Sequence, residues 1–63
     1  MSDLFPISLP EQIAEVAREV HVRERAYPRF VANKTLTQAR AGRQMAALKA
    51  ALETLKRLEG ASP

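Results

Sequence analysis

The sequence predicts an all-α fold in which two helices pack as an antiparallel hairpin. Apolar residues recur at steps of three or four positions, with one step of seven between Val20 and Tyr27, on both sides of Tyr27-Pro28 and Asn33. This spacing is typical of one face of a helix. The first stripe consists of Leu9, Ile13, Val16, Val20 and Tyr27, and the second of Ala41, Met45, Leu48, Leu52 and Leu55. When the helices are laid antiparallel, Tyr27 faces Ala41, and Ile13 faces Leu55. The two stripes therefore predict one shared core.

The first helix is predicted over residues 9–32. Ser8 precedes it as a cap, Glu11 follows three residues later as in a capping box, and Pro10 lies in the first turn, where no amide donor is needed. Pro28 disfavours helical geometry at the residue before it. Because the apolar pattern resumes with Phe30, we expect the helix to continue to about residue 32 with a kink at Pro28.

The second helix is predicted over residues 38–59. Asn33 suits the left-handed position that follows a helix, and Thr37 is a credible cap for the next one. Gly60 is expected to end this helix. Gly42 is a misfit inside it, with two interpretations: the close approach of another helix or of a partner's backbone, or a weak spot that the fold tolerates near a helix start.

The chain is expected to form a single domain over residues 1–63, with an N-terminal arm (1–7) and a frayed tail (60–63). A chain of 63 residues without cysteine has a small core and no disulfide to reinforce it. Ala47, Ala51 and Leu58 widen the apolar face of the second helix, which favours a homodimer packed as a four-helix bundle. The predicted core and dimer residues are Ile13, Val16, Val20, Tyr27, Met45, Leu48, Ala51, Leu52, Leu55 and Leu58.

Charge is unevenly distributed along the chain. Residues 1–17 carry a net charge of −3, residues 18–43 carry +5, and residues 44–63 carry +1. The positive charge therefore gathers around the turn between the helices, with aromatic residues among the arginines. The predicted partner-binding residues are Arg23, Arg25, Arg29, Phe30, Lys34, Arg40 and Arg43.

This basic cluster has three interpretations. Arginine and aromatic side chains suit nucleic-acid backbones and exposed bases. The same residue types are favoured anchors in protein interfaces, here with an acidic protein. The third interpretation is an ordinary solvated surface, since Glu19 and Glu24 cancel part of the charge.

The sequence argues against catalysis. His21 is the only histidine, there is no cysteine, and the serines Ser2, Ser8 and Ser62 fall in the arm, at the helix cap and in the tail, so neither a histidine-centred triad nor a typical zinc site is expected in one chain. We therefore expect no enzyme activity, no catalytic residue, no metal, no cofactor and no small-molecule substrate. No secretory signal or membrane-spanning stretch is recognisable, which predicts a cytoplasmic protein without a membrane partner.

Residues 13–58 carry a pattern of an acid, an arginine one turn later, a tyrosine-proline pair, an aromatic-valine pair and a short turn into an alanine-rich helix. The residues are Glu19, Arg23, Tyr27-Pro28, Phe30-Val31, Leu36-Thr37, Ala41 and Gln44. This pattern resembles small proteins of tailed phages and prophages. In size and layout the chain is similar to the phage-encoded anti-activators of quorum sensing.

That resemblance implies a dimeric helical hairpin in the host bacterial cytoplasm that binds a LuxR-type transcription factor and keeps it from DNA. In at least one case such a protein also binds the assembly ATPase of type IV pili. The resemblance assigns no individual partner-contacting residue in this chain. Two alternatives stay open: a small basic dimer that binds nucleic acid, and an assembly component of a virion.

Overall fold

The computed structural model describes residues 6–61, and within this range it contains two helices and no strand. Helix α1 is Leu9–Ala32 and helix α2 is Gln38–Ala61, each with 24 residues. The predicted bounds of the first helix are confirmed. The remaining parts of the predicted arm (1–5) and tail (62–63) lie outside the described residues.

Helix α1 begins with the cap that the sequence predicts. Ser8 has extended backbone angles, and its Oγ accepts a hydrogen bond of 3.3 Å from the Glu11 amide. The Ser8 hydroxyl donates in turn to the Glu11 carboxylate at 3.4 Å. Pro10 lies in the first turn, where an amide donor would have no helical acceptor.

Helix α1 ends at the predicted residue in a Schellman motif, but its left-handed residue comes one position later than predicted. The Lys34 amide donates to the Val31 carbonyl at 3.1 Å, and the Thr35 amide donates to the Phe30 carbonyl at 2.9 Å. Lys34 takes the left-handed conformation with φ 66°, whereas Asn33 has φ −92°. The prediction of a left-handed Asn33 is wrong because its amide still donates to the Arg29 carbonyl, which keeps this residue on the helix.

Helix α2 begins with the predicted Thr37 cap, whose Oγ1 accepts a hydrogen bond of 3.1 Å from the Arg40 amide. It ends at Ala61, beyond the predicted residue 59. Gly60 does not end the helix because it has no positive φ, so the helical backbone continues through it. At Gly42 an added Cβ would meet no atom within 4 Å, so within the described chain no helix crosses closely there.

Two contacts between the helices show that they run antiparallel. Tyr27 of α1 is hydrogen-bonded to Gln44 of α2, and Glu24, one turn earlier, forms an ion pair with Lys49, further along α2. We call the end with the turn at residues 33–37 the closed end, and the end where α1 begins and α2 finishes the open end. Pro28 lies inside α1, and the predicted kink there stays a prediction.

The core between the helices is thin. Among the described residues, only Val20 and Ala41 are buried. The other predicted core residues are half-buried (Ile13, Val16, Tyr27, Met45, Leu48, Leu52 and Leu55) or exposed (Ala51 and Leu58). The radius of gyration is 14.7 Å, compared with about 11 Å for a compact domain of this length. A single hairpin therefore leaves much of its apolar surface in water.

Candidate functional site

The segment 18–43, which includes the closed end, carries seven basic residues, and two of them are neutralised within α1. Arg18 is paired with Glu15, and Arg23 Nε lies 2.8 Å from a carboxylate oxygen of Glu19. The second pair has the predicted spacing of four residues, with the acid first. These two arginines therefore contribute little net charge to the surface.

The other five cations are exposed, and none of them forms an ion pair with a carboxylate in residues 6–61. They are Arg25, Arg29, Lys34, Arg40 and Arg43. The last two turns of α1, the connection and the first turns of α2 hold them toward the same end of the hairpin. Five uncompensated charges on one end create a local positive field that attracts acidic groups.

Arg23 was predicted to bind a partner, but it lies in a network that joins the two helices. Its Nη1 donates to the Tyr27 hydroxyl at 3.4 Å, and that hydroxyl donates to Oε1 of Gln44 at 3.1 Å. The hydrogen bonds to Glu19 and Tyr27 favour the charged guanidinium and raise the pKa of Arg23 above its ordinary value. The sequence pointed to the Glu19–Arg23 pair, but no periodic signal pointed to Gln44 as the partner of Tyr27.

Phe30, the predicted aromatic anchor, is 39% exposed on the last turn of α1. Its carbonyl accepts hydrogen bonds from the amides of Thr35 and Leu36, at 2.9 and 3.2 Å. The turn therefore fixes the backbone from which the Phe30 ring projects. An exposed ring on a fixed backbone can enter an apolar pocket at a modest cost in conformational entropy.

Two open grooves lie between the helices. One, of about 520 Å³, is at the closed end and is lined by Glu24, Tyr27, Pro28, Val31, Gln38, Ala41, Gly42 and Met45. The other, of about 480 Å³, is at the open end and is lined by Ile7, Glu11, Gln12, Glu15, Val16 and Leu55. Both are lined mainly by apolar surface and are open to solvent, so they suit side chains of a macromolecule better than an enclosed small molecule.

His21, the only histidine, is exposed, with Nδ1 at 3.7 Å from the Glu24 carboxylate. The same carboxylate also pairs with Lys49 at 3.3 Å.

In residues 6–61 no three His, Asp or Glu side chains come together as a metal site. No helix in this range is both long and apolar enough to cross a bilayer. No protein-family model, curated protein or solved structure matches this chain.

Proposed function

We propose that this chain is a homodimeric helical hairpin that binds and sequesters a regulatory protein of a bacterial host. The main support is the set of five uncompensated cations at the closed end. A partner with a carboxylate-rich face would neutralise them, and such pairing gives an interface its orientation and raises the association rate. The partner's acidic groups take the role that Glu15 and Glu19 play for Arg18 and Arg23 within the hairpin.

The proposed target is a LuxR-type quorum-sensing activator, held away from DNA by the bound hairpin. The assembly ATPase of type IV pili is a further target of the same kind. Both targets come from the resemblance to phage anti-activators, and the protein is then phage-encoded and acts in the host cytoplasm. The geometry supports the general part of this proposal, namely a small protein that acts by contact through a charged end.

The test is a binding measurement with a purified LuxR-type activator, using Arg25→Glu/Arg29→Glu as the variant. Arg25 and Arg29 are exposed and lie near the end of α1. Reversing both charges should weaken binding about tenfold or more and restore DNA binding by the activator in a gel-shift assay. The double variant should also reduce the salt dependence of the association rate.

The matched control is Lys56→Glu/Arg57→Glu at the open end. These residues are also exposed, and the control reproduces the same change in net charge. Binding by the control should stay within about twofold of the original chain. Equal losses of binding in both double variants would refute the proposed surface. No binding by the original chain would refute the proposed target.

A second candidate function is nucleic-acid binding, because the same five cations could contact phosphates. Binding of that kind weakens steeply as salt rises. Labelled duplex and single-stranded DNA and RNA should therefore be tested at low salt. A gel shift lost in Arg25→Glu/Arg29→Glu and retained in Lys56→Glu/Arg57→Glu would favour this candidate.

A further inference from the structure

We propose that a second copy of this chain docks in antiparallel orientation on one face of the hairpin, with the closed end of each protomer on the open end of the other. We call this the heptad face and define it by residues spaced seven apart: Val16, Arg23 and Phe30 on α1, and Gln44, Ala51 and Leu58 on α2. This proposal rests on the homodimer of the proposed function. It adds which face of the hairpin is buried in the dimer and how the two copies are oriented.

The exposed area of the chain fits one further copy. The solvent-accessible surface is 5173 Å². A compact monomer of 7.0 kDa exposes about 4,000 Å², so the whole chain exposes about 1,100 Å² more. A stable protein interface of standard size buries about 800 Å² on each partner. Burying one face of the hairpin against a second copy therefore removes about as much accessible surface as the excess.

Helical geometry identifies the face. Gln44 is hydrogen-bonded to Tyr27 across the two helices and does not line the closed-end groove. Met45, the next residue of α2, lines that groove, so Gln44 lies on the opposite face of the hairpin. Residues seven apart are almost two turns apart, so Ala51 and Leu58 share the side of Gln44. On α1, Phe30 follows Arg23 by seven residues, so these two residues also lie on the same side of their helix.

This face also holds most of the large apolar side chains that are exposed in the described chain. Phe30 and Gln12 are 18 residues apart, which is five helical turns, so they lie on the same side of α1. Gln12 lines the open-end groove together with Ile7, which is 57% exposed. Leu58 is 53% exposed on α2. The heptad face therefore exposes an apolar residue at each end, Phe30 at one and Ile7 with Leu58 at the other.

Charge decides the orientation. Glu11 and Glu15 line the groove at the open end, and the five uncompensated cations lie at the closed end. An antiparallel pair places each acidic open end beside the basic closed end of its partner. Arg25, beside Val22 on the outer side of α1, and Arg29, one turn later on the same side, then stay exposed for the regulator. A parallel pair would place ten cations at one end of the dimer, and like charges brought together cost several kcal/mol across an interface.

The same arrangement predicts a register. If the two-fold axis passes α1 near His21, Phe30 lies over the partner's open-end groove beside Gln12, and Arg23 lies beside the partner's Glu19. On α2 the small side chains of Ala47 and Ala51 then lie near the axis, where they let the two backbones approach closely. Such an isologous contact uses each residue twice.

The first experiment measures self-association without any host protein, by sedimentation equilibrium and light scattering over a range of concentrations. Phe30→Ala and Leu58→Asp should each raise the dimer dissociation constant about tenfold or more, with helicity by circular dichroism retained at high protein concentration. The control is Val22→Asp, because Val22 is 46% exposed but lies on the outer side of α1, beside Arg18 and Arg25. An equal effect of the control, or a well-folded monomer at micromolar concentration, would overturn the inference.

The second experiment tests the orientation. The chain has no cysteine, so Thr35→Cys gives one spin label at the closed end. In the antiparallel dimer the two labels are separated by at least about 36 Å, the length of a 24-residue helix. In a parallel dimer they lie within about 20 Å, or two interhelical spacings. Dilution with unlabelled chain should remove the distance signal in either case, and a short distance would overturn the antiparallel arrangement.

The outcomes separate this inference from the proposed function. An antiparallel dimer that binds no regulator supports the inference and refutes the function. A parallel dimer that still binds the regulator through Arg25 and Arg29 refutes the inference and supports the function. If Phe30→Ala weakens regulator binding but leaves the dimer intact, Phe30 is a partner anchor, and its place in the heptad face is refuted.

Discussion

The phenolic oxygen of Tyr27 lies 3.1 Å from the side-chain oxygen of Gln44, and this hydrogen bond joins residues 17 positions apart on different helices. Both side chains are half-buried. The Tyr27 oxygen also accepts from Arg23, which Glu19 holds from the other side. In a hairpin with so few buried side chains, this network fixes the position of α1 along α2 near the closed end.

Tyr27→Phe should lower the free energy of unfolding by about 1 kcal/mol, because it removes the hydroxyl and leaves the half-buried Gln44 oxygen without its donor. Urea unfolding followed by circular dichroism measures the change. The raised pKa of Arg23 should not make this contribution depend on pH near neutrality. Its stabilisation is fully present below the ordinary arginine pKa and is lost only as the pH rises through the higher folded value.

A double-mutant cycle isolates the contact from the rest of each side chain. Gln44→Ala alone should cost about as much as Tyr27→Phe, and the double variant should cost little more than either single one. Fully additive losses would mean that the two side chains stabilise the hairpin independently. All variants must be compared at the same protein concentration, because the stability of a dimer depends on it.

Lys34→Gly should stabilise the chain, because Lys34 takes a positive φ of 66°, a left-handed conformation that is strained for lysine but not for glycine. The expected gain is about 1 kcal/mol, or a rise in Tm of about 4–8 °C for a domain of this size. Lys34→Gln is the matched control, since it removes the same charge but keeps the Cβ. A similar gain in Lys34→Gln would show that charge repulsion, rather than backbone strain, is relieved.

The helices could be predicted from the sequence because their signals are local. The apolar spacing, the Ser8 and Thr37 caps and the Glu19–Arg23 pair each involve residues within four positions of one another, and all appear in the structure. The left-handed residue that follows α1 lies one position later than predicted, for a local reason as well. Asn33 uses its side chain to accept from the Thr35 amide at 3.1 Å, and the left-handed turn then falls on Lys34.

The site could be predicted only in part. The sequence places seven cations around the turn, but which of them are neutralised depends on side-chain directions that composition does not fix. The contacts of Tyr27 with Gln44 and of Glu24 with Lys49 join two helices. They depend on the rotation of each helix about its own axis, and a stripe of apolar residues determines that rotation only approximately.

Gly42→Ala should stabilise α2 by about 1 kcal/mol, because alanine is the better helix former and the added Cβ meets no atom within 4 Å. Dimerisation should be unchanged, since Gly42 lines the groove on the side away from the heptad face. Gly60→Ala is the control, and its gain should be smaller because Gly60 lies in the last turn. A Gly42→Ala variant that is more helical but no longer dimerises would place the dimer contact at the closed-end groove.

Leu52→Asp should abolish folding and dimerisation together, whereas Leu58→Asp should mainly weaken association. Leu52 is half-buried and belongs to the stripe predicted to face α1, so a carboxylate there loses hydration without gaining a partner. Leu58 is 53% exposed, so an aspartate at this position keeps its water in a single hairpin. Circular dichroism should show the loss of helix in Leu52→Asp at every concentration, and in Leu58→Asp only on dilution. A helical monomer of Leu52→Asp would mean that the stripe from Ala41 to Leu55 is not what holds the two helices together.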